Sequence, residues 1–202
     1  MKQILFLFHV IICCGVAQAQ VQFGVKAGGN ISSQRSSYGA GNKARAGFQA
    51  GIFSDISIDK KFSVRPELIY AIKGYAFTAT QFSTSGTMGF RYINFPVLVG
   101  YRPTKELELL AGPELGWLLG VNAHSSGQNN DVTRLYKRKF DLGLIAGALY
   151  AFTDKFAADL RIIYGIQALF NGLATDQYGN DLGTVKDRYN LSLQLGVNYT
   201  FH

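Results

Sequence analysis

Hydrophobic and polar positions alternate without a break over residues 188–201. Tyr189, Leu191, Leu193, Leu195, Val197, Tyr199 and Phe201 fall on one side, and Asn190, Ser192, Gln194, Gly196, Asn198 and Thr200 on the other. A period of two belongs to a β-strand with unlike faces, not to a helix. The apolar face begins and ends in aromatics, while the other carries small or amide side chains. A strand standing between lipid and a polar interior needs this combination.

The pattern recurs. Strand-like segments fall at about 21 to 31, 45 to 57, 61 to 77, 88 to 101, 106 to 119, 139 to 152, 155 to 169 and 188 to 201. Most exceed the roughly 9 to 11 residues that a tilted strand needs to cross a bilayer. The connections alternate in length. Short links of turn-forming or charged residues occur at 58–60, 102–105 and 153–155, and long ones rich in Ser, Gly, Asn, Asp and Thr at 32–44, 78–87, 120–138 and 170–187. Short periplasmic turns and longer external loops are the asymmetry of outer-membrane barrels. The pattern predicts an all-β fold, an eight-stranded antiparallel up-and-down transmembrane β-barrel with both termini periplasmic. Pro66, Pro96 and Pro113 interrupt strand segments and predict bulges or local breaks.

Alternation also assigns faces. Phe23, Phe48, Leu68, Phe95, Leu109, Leu144 and Leu160 belong to a charge-free lipid band. Aromatics are expected at both interfaces. Tyr101, Tyr150, Phe156, Tyr199 and Phe201 are assigned to the periplasmic girdle, and Phe77, Phe90, Trp117, Phe140 and Tyr189 to the outer rim. The opposite face holds Lys26, Gln49 and Gln194 together with Arg65, Glu67, Lys73, Glu108, Glu114, Asp141, Asp159 and Arg161, with glycines between them. Three short turns are each followed by a strand that gains an inward acid at a matching place, Glu67, Glu114 and Asp159. Side chains just fill an eight-stranded barrel, so the mixed charges read as a structural ionic network and a through-channel is not the default.

Composition then sets the compartment. Residues 1–19 have a basic start at Lys2, an apolar run and Ala17-Gln18-Ala19 before Gln20, the form of a secretory signal peptide. The expected domains are a signal peptide at 1–19 and a barrel at 20–202. Cys13 and Cys14 are the sole cysteines and leave with the signal, so disulfides and thiolate metal sites are not expected. No cofactor is implied. The formal charge is +7, with one local cluster at Arg134, Lys137, Arg138 and Lys139. This cluster is expected to be a solvated loop; its sharper alternative is a contact with anionic surface lipid. Nucleic acid is a poor partner for an exported chain.

Arg65-Pro66-Glu67-Leu68-Ile69-Tyr70 with Lys73-Gly74-Tyr75, then residues 92–101, then Ala111-Gly112-Pro113-Glu114-Leu115-Gly116, resemble in order and spacing the PorT-like outer membrane β-barrel family. The likeness runs through 140–165 and the last strand. It implies a small eight-stranded barrel of Gram-negative bacteria with a signal peptide, and a link to secretion or surface assembly. It brings no catalytic motif. The implied partners are outer-membrane lipid, the assembly machinery during insertion, and envelope proteins. The terminal aromatic Phe201 is followed by His202, a departure from the usual strand end.

Candidate chemistry is sparse. His124 is the only histidine away from the termini, with Ser125, Ser126 and Asp131 in the same polar segment. A lipid hydrolase needs its nucleophile and base held on rigid elements, so this group is a minor alternative to a non-enzymatic barrel. A narrow solute or ion pore is the other. A soluble lipid-binding barrel would reverse every face and leave the apolar belt in water.

Overall fold

A computed structural model describes residues 20–35, 42–78, 85–136, 138–168, 170–175, 181–187 and 189–201. The signal segment 1–19, Lys137, Arg188 and His202 lie outside the described residues. The strands are β1 (Gln20–Arg35), β2 (Asn42–Ser57), β3 (Phe62–Phe77), β4 (Gly86–Tyr101), β5 (Leu107–Ser125), β6 (Gln128–Asp131), β7 (Phe140–Ala151), β8 (Phe156–Gly165), β9 (Phe170–Thr175), β10 (Asp181–Asp187) and β11 (Tyr189–Thr200).

Eight of them form the wall. In order around the barrel they are β4, β3, β2, β1, β11, β8, β7 and β5, and β5 pairs back onto β4 to close the ring. Every pairing is antiparallel. The first and last strands meet from Gly24↔Thr200 to Arg35↔Tyr189, so no wall strand keeps an unpaired edge. At Gly28 this seam is so close that a Cβ would collide with the Leu195 carbonyl, and only glycine fits.

The long connections hold more structure than their composition predicts. Strand β5 runs on to Ser125 and doubles back through Ser126 and Gly127, both at positive φ, into β6. That is the two-residue turn that matches strand twist. A 3-10 turn at Thr133–Leu135 follows. β8 stops at Gly165, short of the expected 169, and β9 and β10 pair as a separate hairpin.

Prolines do not produce the expected bulges. Across Pro66, Pro96 and Pro113 the register on either side is unchanged. Wall shifts lie instead between Ala44 and Gln49 and between Arg91 and Tyr92. Each proline removes one backbone donor, and the lost bond is local because neighbouring ladder pairs still fix the strand.

The short turns are held by side chains. Asp59 accepts from the backbone N–H of Lys61 (2.6 Å) and Phe62 (2.7 Å), and these bonds hold its carboxyl below the usual aspartate value. A lowered folded-state pKa stabilises the turn above the unfolded value and loses that contribution as pH falls through the folded one. The Lys61 and Phe62 amide resonances are therefore expected to titrate with a midpoint below about 3.9, and Asp59→Ala to abolish the transition in NMR spectra of micellar protein.

Candidate functional site

The wall has two unlike faces. Phe23, Ile52, Phe95, Val99, Leu109, Leu144, Leu160 and Leu195 point outward and are exposed on the isolated chain. Rings border this belt at both ends. Near the short turns, Phe62 lies 5.3 Å from Tyr101, Tyr150 5.5 Å from Phe152, Phe156 5.0 Å from Tyr199, and Tyr199 5.6 Å from Phe201. Near the long connections, Trp117 stands opposite Phe140 in register, and Arg35 opposite Tyr189. Two rings assigned to this outer rim are elsewhere. Phe90 is fully buried inside the barrel, and Phe77 packs against the same cluster. The mouth of a narrow barrel has to be filled, and apolar rings fill it at the least desolvation cost.

The interior divides into an ionic part and two apolar ones. Arg161 grips Glu67 with both terminal nitrogens, at 2.7 and 2.9 Å, the two-pronged geometry for which guanidinium is suited. Its second prong also lies 2.8 Å from Asp159, which in turn pairs with Lys26. Glu67 further accepts from Arg65 Nε at 2.9 Å. Arg65 donates to Asn198 at 2.7 Å, reaches Asp55 at 3.5 Å, and lies over the Phe53 ring at 3.6 Å. Arg102 continues the line to Asp55 (2.6 Å) and Glu108 (3.2 Å), and Ser63 donates to Glu108 at 2.5 Å. One chain of ion pairs thus runs from mid-barrel to the short-turn mouth. Lys73 and Glu114 pair separately at 2.6 Å, and Asp141 accepts from Asn190 at 2.6 Å.

All nine charged residues assigned to the interior are buried. The sequence reading missed Asp55 and Arg102, and it placed Asn190 and Asn198 on the polar face without giving them partners. Asp55 shares the parity of Gln49, so alternation carried the signal. Arg102 sits in a turn, and its long side chain reaches back into the mouth. The apolar part was also missed. Leu98, Leu110, Ile145, Leu149 and Ile163 form one inward cluster. Tyr75, Phe90, Tyr92, Leu118 and Val121 form another, and Val132 and Tyr136 of the long connection pack onto it. Tyr136 meets Phe90 edge-on at 5.3 Å. The segment expected to be a solvated loop therefore plugs the barrel in part.

At the short-turn mouth an open vestibule of about 290 Å³ is lined by Asp55, Arg65, Arg102, Glu106, Glu108 and Asn198, among others. Its charges are mostly committed to one another, so it is polar without a strong net sign. Members of the alternative catalytic group make local contacts of their own. His124 is exposed on β5 opposite Asn129, Ser125 donates to the Ser85 carbonyl at 3.2 Å, and the Asp131 carboxylate accepts the Thr133 N–H at 2.8 Å. The Thr133 side chain and backbone together hold the Asp131 carboxyl below its usual value, so it is spent on the turn.

A closed antiparallel barrel with an apolar, aromatic-bordered exterior and a packed, charged interior is the form of a small bacterial outer-membrane protein. The family profile described as outer membrane protein beta-barrel domain matches residues 16–171. The chain belongs to that family, and its place is the outer membrane. Among solved structures it is similar to Neisserial surface protein A, with 17% identity, a TM-score of 0.58, and 89% of this chain and 97% of the other covered. It is also similar to Ail, the attachment invasion locus protein of Yersinia pestis, in complex with the heparin analogue sucrose octasulfate, with 17% identity, a TM-score of 0.52, and 90% and 99% covered. At these identities the likeness is one of fold. Among curated proteins none matches the sequence.

Proposed function

We propose that this protein is a non-enzymatic, internally plugged barrel that serves as a structural or interaction component of the envelope. It is exported through the signal peptide at 1–19 and inserted with its long connections outside. The observation carrying this reading is the filled interior: a continuous ionic chain on one side and apolar clusters on the other leave the wall's ends as the surfaces free to act. Loops on a rigid scaffold are where such proteins place function. The finer membership is the PorT-like family, whose motifs at 65–75, 92–101 and 111–116 all lie on wall strands β3 to β5. That membership makes secretion or surface assembly the role.

Crosslinking and co-purification from native membranes test the proposal. An envelope protein is expected to be recovered with the barrel, crosslinked through residues of the long connections. Recovery of the barrel alone, together with steady conductance, would overturn it in favour of a pore. Lipid hydrolysis lost in His124→Ala would overturn it in favour of an enzyme. Orientation has its own check: protease added to intact cells is expected to cut within 120–138 or 170–187 and to spare 153–155, whereas cleavage confined to the short turns would invert the topology.

A further inference from the structure

Charge is unevenly shared between the two ends of the barrel. At the short-turn end Lys60, Lys61, Lys105 and Lys155 are interspersed with Asp59, Glu106 and Asp154. At the long-connection end the described side chains include Arg35, Arg91, Arg134, Arg138 and Lys139 against one surface carboxylate, Asp131. Asp131 feels Arg91 and Lys139. Among the described side chains no carboxylate pairs with Arg35 or Arg138.

Arg35 occupies an unusual place. It ends β1 on the outward parity, opposite Tyr189, whose strand also carries the exposed Leu193 and Leu195. Its guanidinium carbon lies 3.8 Å from the centroid of the Tyr164 ring and 5.5 Å from that of Tyr189. The terminal nitrogens donate to the Tyr164 hydroxyl at 2.7 Å and the Gly165 carbonyl at 2.9 Å. Nε has no hydrogen-bond partner among the described residues. An arginine on the lipid side of a barrel is tolerated near an interface, not at the midplane. There, tyrosine faces hold it, and no described carboxylate neutralises its charge. Arg138 approaches the same stretch from the β7 side, donating to the Ala168 carbonyl at 3.4 Å. The two anchoring carbonyls are three residues apart, so roughly 10 Å at most separates them.

We propose that Arg35 and Arg138, across the end of β8, form a binding site for the phosphate of an outer-leaflet lipid, the phosphorylated glucosamine head group of lipid A. Phosphate is the anion that a guanidinium recognises through paired donors. Acyl chains descending from such a head group lie along the exposed Ile166, Leu193 and Ile31 of the same outer face. The site rests on the reading that the long connections are external, but its binding test does not depend on that orientation or on any protein partner.

The experiment measures lipid retention by native mass spectrometry on the full mature chain in detergent, with bisphosphorylated lipid A and its enzymatically dephosphorylated form as probes. The parent is expected to hold the phosphorylated lipid in preference. Arg35→Gln and Arg138→Gln are each expected to weaken it by about fivefold, the factor usual for one basic residue at an anionic membrane surface. Arg35→Lys keeps the charge and is expected to lose less. Lys155→Gln, at the opposite mouth, is expected to change nothing. Gel mobility before and after heating shows which variants are folded. Equal retention of the two lipids by the parent, unchanged retention in both folded glutamine variants, or an equal loss in Lys155→Gln would each overturn the site. Should Arg35→Gln fail to fold, Arg138→Gln and the lipid comparison decide.

Discussion

Glu67→Ala is expected to lower the unfolding free energy of the detergent-solubilised barrel by about 3 to 5 kcal/mol, the usual cost of leaving buried charge unpaired. Glu67 is the hub of the interior chain. Its two oxygens receive both prongs of Arg161 and Nε of Arg65. Truncation strands two guanidinium groups at once. Arg161 retains Asp159 at 2.8 Å, and Arg65 retains Asn198 at 2.7 Å, so the barrel is weakened, not abolished. Lys61→Ala, on an exposed turn, is the comparison and is expected to stay within about 0.5 kcal/mol. Urea titration of both variants in the same detergent checks the pair. Parent-like unfolding of Glu67→Ala would show that the ion pairs contribute little net stability.

The second large effect is on the outside. Leu195 is central in β11, between the rings at Tyr189 and Tyr199, and is 62% exposed on the isolated chain. Leu195→Arg is expected to cost about 2 to 4 kcal/mol in a lipid bilayer, because the charge has to be placed near the hydrocarbon midplane. Leu135 is still more exposed, at 74%, but lies in the 3-10 turn of a long connection. Leu135→Arg is expected to be near neutral. Folding of both variants into liposomes of one composition separates the two environments. Equal tolerance would mean that Leu195 faces water.

Much of the wall was legible because a strand's side-chain period is two wherever one face is buried. Leu193, Leu195 and Val197 against Ser192, Gln194 and Asn198 reveal both faces from residue type alone, and Glu67, Asp159 and Arg161 fall inward by the same rule. Alternation cannot say which inward charge meets which. The Arg161–Glu67 pair spans 94 residues in sequence, and closure of the barrel alone brings β8 and β3 to face each other. Phe90 shares the parity of Asn94 and Leu98, so it too was legible. Expecting aromatics only at a membrane girdle misplaced it, since rings serve the packed mouth as well. The β5–β6 hairpin was hidden because Asn, Ser, Gln and Gly suit both an exposed ribbon and an irregular loop. Its turn needs two residues at positive φ, and Ser126 is an uncommon choice for one of them. The prolines misled in the opposite direction, because a missing donor weakens a ladder without moving its register.

The wall fixes a membrane address; the interior decides whether anything passes through. Glu67, Arg161, Lys26 and Asp159 have side chains at most 1% exposed, and Phe90, Tyr92 and Val121 are fully buried near the other mouth. Conductance across planar lipid bilayers containing the purified mature barrel is the decisive measurement. A plugged barrel gives no steady ionic current at either polarity, with at most brief flickers. A stable, ohmic single-channel conductance in protein shown to be folded would contradict a filled interior and make the barrel a pore.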